Sequence, residues 1–183
     1  MRLRTLLPVA MIVGLGTVAS AQVFSHTWDG TEPTRLGRLF RDGVPSNHLA
    51  PKPFPGVFNP TGTYYYYQVN MGGFGPGDIP VYIIPTIQPD VASFVAAYHT
   101  AAPGAGDMSV NYLGDQGGSV VTNSFSVILP GGTDLWIFIT TTSVVPGGIG
   151  SIIEGTVTTV PEPGTFIAIG IGLAGLALAR RRK

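Results

Sequence analysis

The sequence predicts an all-β chain, a single jelly-roll-like β-sandwich set between two apolar terminal segments. Between residues 61 and 160, short runs rich in β-branched and aromatic residues alternate with Gly- and Pro-rich turns, roughly every 8 to 15 residues. No segment between the two ends has a convincing helical period. The 183 residues include 26 glycines and 16 prolines without a fixed repeat, which is typical of neither collagen nor a solenoid.

Strands are predicted where β-forming residues cluster. In chain order these runs are residues 64–71, 81–84, 93–98, 111–114, 120–129, 134–142 and 152–160. The run D-L-W-I-F-I-T-T-T at 134–142 is apolar on both faces in its first half, as in a central strand. We therefore expect residues 135–139 to be largely buried. The G-G-F-G-P-G segment at 72–77 is predicted as a turn, because no helix follows it to form a phosphate loop.

Residues 1–21 have the features of a signal peptide. Two arginines precede a short apolar run, which ends in the A-x-A motif formed by Ala19 and Ala21. We predict cleavage after Ala21, so that the exported chain begins at Gln22. An uncleaved membrane helix is the alternative, but the run is short and the cleavage site is well formed.

Residues 22–60 are predicted as an ordered, Pro-rich arm laid across the sheet. Arg35, Arg38 and Arg41 fall three apart, but Gly37 interrupts any helix there. The second half of the arm holds five prolines, which leaves too few backbone donors for a central strand. The carboxylates expected to pair with the three arginines are those of Asp29, Glu32 and Asp42.

The last segment, residues 160–183, has three parts. V-P-E-P-G is held extended by its prolines, an apolar run of 15 residues follows at 165–179, and R-R-R-K ends the chain. At about 1.5 Å per residue a helix of this length spans roughly 22 Å, which is short for a bilayer unless the arginines snorkel. Small residues recur four apart, which permits close helix packing in a membrane. These features predict a transmembrane helix, and a plain C-terminal anchor is one interpretation of it.

The three parts together resemble the PEP-CTERM sorting signal of Gram-negative bacteria. In that family a membrane-bound processing enzyme, an exosortase, recognises the Pro-Glu-Pro motif and removes the tail. The resemblance implies that Pro161, Glu162 and Pro163 are the sorting motif. It also implies an exported precursor, anchored in the membrane by residues 161–183 and then passed to the cell envelope, the outer surface or the extracellular space.

The charge balance of the exported part excludes polyanionic ligands. Residues 22–160 contain four cations and nine carboxylates, a net charge of −5, and no Lys or Arg occurs from residue 53 to residue 160. Such a surface repels phosphates, so nucleic acid is not expected as a partner. The chain has no cysteine, so its stability must come from burial rather than from disulfides.

A second resemblance covers most of the exported part. The blocks that carry it follow one order: G-R-L-F-R-D-G-V-P-S (37–46), A-P-K-P-F-P-G (50–56), the Tyr-rich strand, F-V-A-A-Y (94–98), N-Y-L-G-D-Q-G (111–117) and F-S-V-I-L-P-G-G-T-D-L-W-I-F-I (125–139). This order is similar to pre-peptidase C-terminal-like β-sandwich modules of secreted bacterial proteins, and it implies an accessory or adhesive role. Some relatives carry Cys near the positions of His48 and Phe54, and this chain does not.

No catalytic motif is present, neither G-x-S-x-G nor H-E-x-x-H. The three histidines, His26, His48 and His99, lie in separate segments and are expected to be solvated or satisfied in the core. Asp107 and Asp115 lie in Gly-rich loops and are weak candidates for Ca²⁺, because they lack D-x-D-x-D spacing. We therefore expect neither a metal nor a cofactor.

The tyrosines at 64–67 alternate faces, so two of them are candidates for an exposed strip that stacks on sugar rings. Packing in the core on one face and under a loop on the other is the alternative. Two function classes follow from the sequence. One is a non-catalytic envelope or matrix protein associated with exopolysaccharide or biofilm. The other is a carbohydrate- or calcium-binding accessory module.

Overall fold

Nine strands lie in the part of the chain that the computed structural model describes, residues 21–88, 93–119, 122–146 and 148–159. In chain order they are β1 (Ala21–Thr27), β2 (Thr34–Leu39), β3 (Val57–Gly73), β4 (Ile79–Gln88), β5 (Ser93–His99), β6 (Tyr112–Asp115), β7 (Phe125–Leu129), β8 (Asp134–Thr141) and β9 (Ile152–Thr159). They form a four-stranded sheet, β1-β9-β4-β7, and a five-stranded sheet, β2-β3-β8-β5-β6. Every pairing between these strands is antiparallel. The predicted all-β sandwich is confirmed.

The main core lies between the two sheets. Alternate residues of β8, among them Ile137 and Ile139, meet alternate residues of β4 and β9, among them Ile83 and Val157. All four of these side chains are fully buried. The alternation of strand side chains explains why one face of each sheet is apolar throughout.

A second cluster covers the other face of the five-stranded sheet. Phe94, Tyr98 and Phe138 point to this side, and Met108 from the loop after β5 closes over them. The sheet is therefore buried on both faces over much of its area. Trp136 shares this outer side and is only half-buried, so the expectation that residues 135–139 are all buried is wrong at this position alone.

The N-terminal part of the chain is not an arm. Residues 22–60 contribute β1 to one sheet, β2 to the other, and the first residues of β3. Hydrophobic alternation does not predict the strand β2, because its inward positions include Arg35 and Arg38, which are buried. Gly37 forms a bulge against β3 with a φ of 68°, a conformation that glycine adopts readily.

The strand β4 runs through two prolines. The pairing of β4 with β7 ends at Ile83, and its pairing with β9 begins at Val81. Pro80 and Pro85 therefore each lie where β4 has a single paired neighbour. Such positions resemble a sheet edge, where a missing backbone N–H is tolerated.

The segment between β2 and β3 closes one side of the sandwich. The backbone N–H of Ser46 donates to the carbonyl of Asp115 (2.9 Å), and the N–H of Ser126 donates to the carbonyl of Ser46 (3.0 Å). Ser46 thus bridges β6, the edge of one sheet, and β7, the edge of the other. This segment places its polar side chains at the junction of the two sheets.

No helix among the described residues is long and apolar enough to cross a bilayer. Ala19, the sorting motif and the helix predicted within 161–183 lie outside the described residues, whereas Ala21 is the first residue of β1.

Candidate functional site

The side of the sandwich that Ser46 closes carries a partly buried ion cluster centred on Lys52. The Lys52 ammonium donates to Asp115 Oδ1 (2.7 Å), to both oxygens of Asp42 (3.0 and 3.1 Å) and to the carbonyl of Val44 (2.6 Å). Asp115 also accepts hydrogen bonds from the Tyr112 hydroxyl and from the N–H of Gly117. The cluster fastens the segment after β2 to the end of β6.

The electrostatics of this cluster follow from burial. Burial raises the pKa of the Asp115 carboxyl, and the hydrogen bonds from Lys52 and Tyr112 counter part of that shift. Burial and the neighbouring Asp115 raise the pKa of the Tyr112 hydroxyl, so it remains a donor at neutral pH. For Asp42, slight burial raises the pKa, and the bonds from the Val44 N–H and Lys52 outweigh it and lower the pKa.

A small cavity opens beside the cluster, between β6, β7 and the closing segment. Its volume is about 190 Å³, and its lining includes Ser46, His48, Lys52, Tyr112 and Ser126. This volume is smaller than that of the sites that hold drug-sized ligands. The cavity therefore suits one small polar group.

His48 connects this cavity to the outer face of the four-stranded sheet. Its Nδ1 lies 2.9 Å from Ser126 Oγ, and its backbone N–H donates to the same oxygen. Its ring meets the Tyr82 ring edge-on at 5.5 Å between centroids. The position of Tyr82 on this face is therefore fixed by a neighbour from the closing segment.

The outer face of the four-stranded sheet presents apolar and hydroxyl side chains to solvent. In one cross-strand row Val23 lies opposite Thr156, which lies opposite Ile84. Val23, Ile84 and Tyr82 are 77%, 39% and 38% exposed. Neither this row nor the adjacent one, Ala21, Thr158, Tyr82 and Ser126, contains a charged residue. These two rows are neutral and carry one aromatic ring, and the next row places the exposed Glu154 between Ser25 and Thr86.

Arg35 and Arg38 do not pair with carboxylates, contrary to the prediction from the sequence. Arg35 donates to the carbonyls of Gly104 (2.5 Å) and Gly106 (2.9 Å), and Arg38 donates to the carbonyl of Leu39 (2.9 Å) and lies 4.3 Å from the Phe58 ring centroid. Burial lowers the pKa of both guanidinium groups. The three expected acceptors are bonded elsewhere: Asp29 to Thr31, Glu32 to His26, and Asp42 to Lys52.

The two calcium candidates lie in different surroundings. Asp115 is buried in the Lys52 cluster. Asp107 is exposed, and its carboxylate accepts hydrogen bonds from the backbone N–H and the hydroxyl of Ser109. Among the described residues, no group of three His, Cys, Asp or Glu side chains is placed to hold a metal ion. The carboxylate oxygens of Asp115 already accept hydrogen bonds from an ammonium, a hydroxyl and a backbone amide.

The histidines do not converge. His26 is hydrogen-bonded to Glu32 (3.0 Å) and stacks on Tyr67. His48 is hydrogen-bonded to Ser126, and His99 to Thr100.

The tyrosine strip is not exposed. Tyr64 and Tyr65 are buried, and Tyr66 and Tyr67 are half-buried. Tyr66 stacks against Phe138 at 5.7 Å in the second cluster. Packing on both faces, the alternative that the sequence left open, is therefore correct.

Sequence reasoning missed the residues that form the site. Lys52 is the single lysine of the exported part, but nothing in its Pro-rich neighbourhood indicates that it contacts residue 115. Tyr82 had a usable signal, since it alternates with the apolar residues at 81 and 83 and so faces away from the core. The contact of His48 with β7 depends on long-range closure that no local pattern encodes.

Comparison with known families identifies the C-terminal segment. Residues 159–183 match the model of the PEP-CTERM protein-sorting motif. This part of the chain is a PEP-CTERM sorting signal, as its three-part pattern predicted. The motif implies an exported, membrane-anchored precursor that an exosortase processes. No curated protein matches the chain.

Solved structures give weak likenesses, each at a TM-score of 0.31. A cleaved adhesin domain of Lys-gingipain from Porphyromonas gingivalis is 16% identical over 56% of this chain and 66% of that one, so the chain spans just under two thirds of it. The C-terminal CBM6 of LamC from Zobellia galactanivorans is 13% identical over 76% of this chain and 100% of that one. A family 35 carbohydrate binding module from Clostridium thermocellum is 12% identical over 76% and 98%. These values are too low to transfer a function.

Proposed function

We propose that this is an exported, non-catalytic protein of the cell envelope or extracellular matrix that binds a neutral polysaccharide. The observation that carries the proposal is the outer face of the four-stranded sheet, which is solvent-exposed and uncharged in the two rows around Tyr82. The sorting signal, which implies an exported and membrane-anchored precursor, supports this proposal.

The chemistry of this face suits sugar rings. An aromatic ring stacks on the apolar face of a pyranose, and Tyr82 is held for this by the edge of His48. The hydroxyls of Thr156 and Thr158 flank the ring on β9 and offer both donors and acceptors. The adjoining cavity accommodates a polar substituent of a bound chain.

Charge favours a neutral ligand over an anionic one. From residue 53 to residue 160 the chain has six carboxylates and no Lys or Arg. Lys52, which lines the cavity, is already paired with Asp42 and Asp115. An anionic sugar or a phosphate would therefore meet uncompensated negative charge.

The surroundings of the contact between Ser126 and His48 agree with a non-catalytic role. Ser126 Oγ lies against His48 Nδ1, the arrangement expected for a nucleophile and a base. However, Ser126 is buried and its oxygen accepts the backbone N–H of His48. Within the described part of the chain, this ring is hydrogen-bonded to Ser126 and meets Tyr82 edge-on, and no carboxylate is hydrogen-bonded to it. The pair holds the closing segment on β7.

Affinity electrophoresis of residues 22–160 through gels containing dextran, galactomannan or heparin tests the proposal. Both hydrophobic clusters and all nine strands, apart from Ala21 at the start of β1, lie within this fragment. Retardation by a neutral polysaccharide is expected, unchanged by EDTA, and Tyr82→Ala is expected to weaken it roughly five- to tenfold.

Phe58→Ala is the matched control, because Phe58 is an equally exposed aromatic residue (42%) on the other sheet. Its binding should equal that of the parent. Salt-sensitive binding to heparin, or a Tyr82→Ala variant that binds as the parent does, would overturn the proposal.

A further inference from the structure

The sandwich has four sheet edges, and three of them are occupied or distorted. The edges at β6 and β7 are joined through Ser46, which bonds the backbone of Asp115 and Ser126. The edge at β2 has a bulge at Gly37 and two buried arginines. Bulges, charges and coverage are the devices by which proteins prevent unwanted strand pairing at an edge.

Within the part of the chain that the structure describes, the fourth edge, β1, has none of these devices. Its sequence is A-Q-V-F-S-H-T, without Pro, Gly, Lys, Arg, Asp or Glu. It pairs with β9 over all seven residues without a register shift, and six of them, Gln22–Thr27, belong to the exported chain that begins at Gln22. No described strand pairs with its other side. This is a regular, uncharged edge strand of the kind that recruits another strand.

The register indicates which backbone groups face outward. The N–H of Trp28 donates to the carbonyl of Ser151 (3.1 Å), which continues the β1–β9 ladder. Because alternate residues of an antiparallel strand bond the same neighbour, Phe24 and His26 direct their backbone groups to β9. Val23 and Ser25 direct theirs to the free side, and both side chains are exposed.

We propose that β1 pairs with β1 of a second copy of this chain, which joins two four-stranded sheets into one of eight strands. A second copy is favoured as the occupant because an antiparallel self-pairing sets only neutral side chains against one another. The one titratable group of the strand, His26, is bonded to Glu32 and stacked on Tyr67 within its own molecule. Each molecule has one such edge, so the contact is two-fold symmetric and closes at a dimer.

Sedimentation velocity of residues 22–160 from about 1 to 200 µM tests the pairing. The parent should shift from monomer to dimer with rising concentration. Ser25→Pro removes an outward N–H without removing a bond to β9, and Val23→Lys places a charge on the free edge. Each is expected to weaken dimerisation at least tenfold while the circular dichroism spectrum stays that of the parent.

Ile152→Lys is the matched control, because Ile152 is an exposed apolar residue (41%) on β9, an inner strand of the same sheet. It should dimerise as the parent does. A parent that stays monomeric at 200 µM, or a dimer that both edge variants leave unchanged, would overturn the inference. Association into open filaments would also contradict it, since two-fold pairing of single edges cannot propagate.

Discussion

Replacing Lys52 with methionine is expected to destabilise the protein by about 3–5 kcal/mol at neutral pH. The change leaves the Asp115 carboxylate buried without its cation, and losing one partner of a buried ion pair has a cost of this size. The side chains of Lys52 and Asp115 are 11% and 0% exposed, so solvent screens the pair little. In urea denaturation, a loss of about 4 kcal/mol lowers the midpoint by about 2 M if the m-value is about 2 kcal/mol/M.

The pH dependence distinguishes a lost charge pair from lost packing. Burial raises the folded-state pKa of Asp115 above its ordinary value of 3.8. Its contribution to stability is therefore fully present below that value and is lost as pH rises through the raised folded pKa. Lys52 lowers the folded pKa, so without it the pKa rises further. The Lys52→Met variant should lose little stability near pH 4 and the full amount at pH 7.

The double variant Lys52→Met/Asp115→Asn is the control, because it removes both charges. It should recover part of the lost stability and should show no extra loss between the two pH values. A single variant as stable as the parent, or one whose loss is equal at pH 4 and pH 7, would refute the account of this cluster.

Two further predictions concern the second cluster and the processing of the precursor. Phe138→Ala should lower the free energy of unfolding, measured by urea denaturation, by about 3–5 kcal/mol. Trp136→Ala should lower it by about 2 kcal/mol, because Trp136 is only half-buried. Equal losses in the two variants would contradict this difference in burial. The intact mass of the protein from its native host should show that residues 1–21 and the C-terminal tail have been removed. A mature species that retains residues 165–183 would contradict processing and would favour a plain membrane anchor.

The strands that follow residue 61 were predictable because their hydrophobic alternation matches their burial. The run at 134–142 corresponds to β8, and the Tyr-rich run at 64–71 lies inside the longer β3. The runs at 81–84 and 120–129 were misjudged at their ends. The strand β4 continues through Pro85 because at that residue it pairs with β9 alone, so the missing N–H of proline is tolerated. The strand β7 begins at Phe125, later than the predicted start at residue 120.

The candidate site was not predictable from local pattern. The strand β2 was missed because it contains buried arginines, which make its sequence resemble that of an exposed polar strand. Arg35 is hydrogen-bonded to backbone carbonyls of a distant loop. The Lys52 cluster joins residues 63 positions apart, and only closure of the sandwich brings them together. The sorting signal was predictable because its three parts act in sequence order and need no tertiary contact.

The most direct test of the proposed function is a residue-resolved map of polysaccharide contact. Oligosaccharides of whichever neutral polysaccharide retards the fragment should be titrated into labelled residues 22–160 and followed by amide chemical shifts. The proposal predicts shifts at Tyr82, Ile84 and Thr156, extending to His48. Shifts confined to Gln68 and the rest of the five-stranded sheet, or no shifts at saturating oligosaccharide, would contradict it.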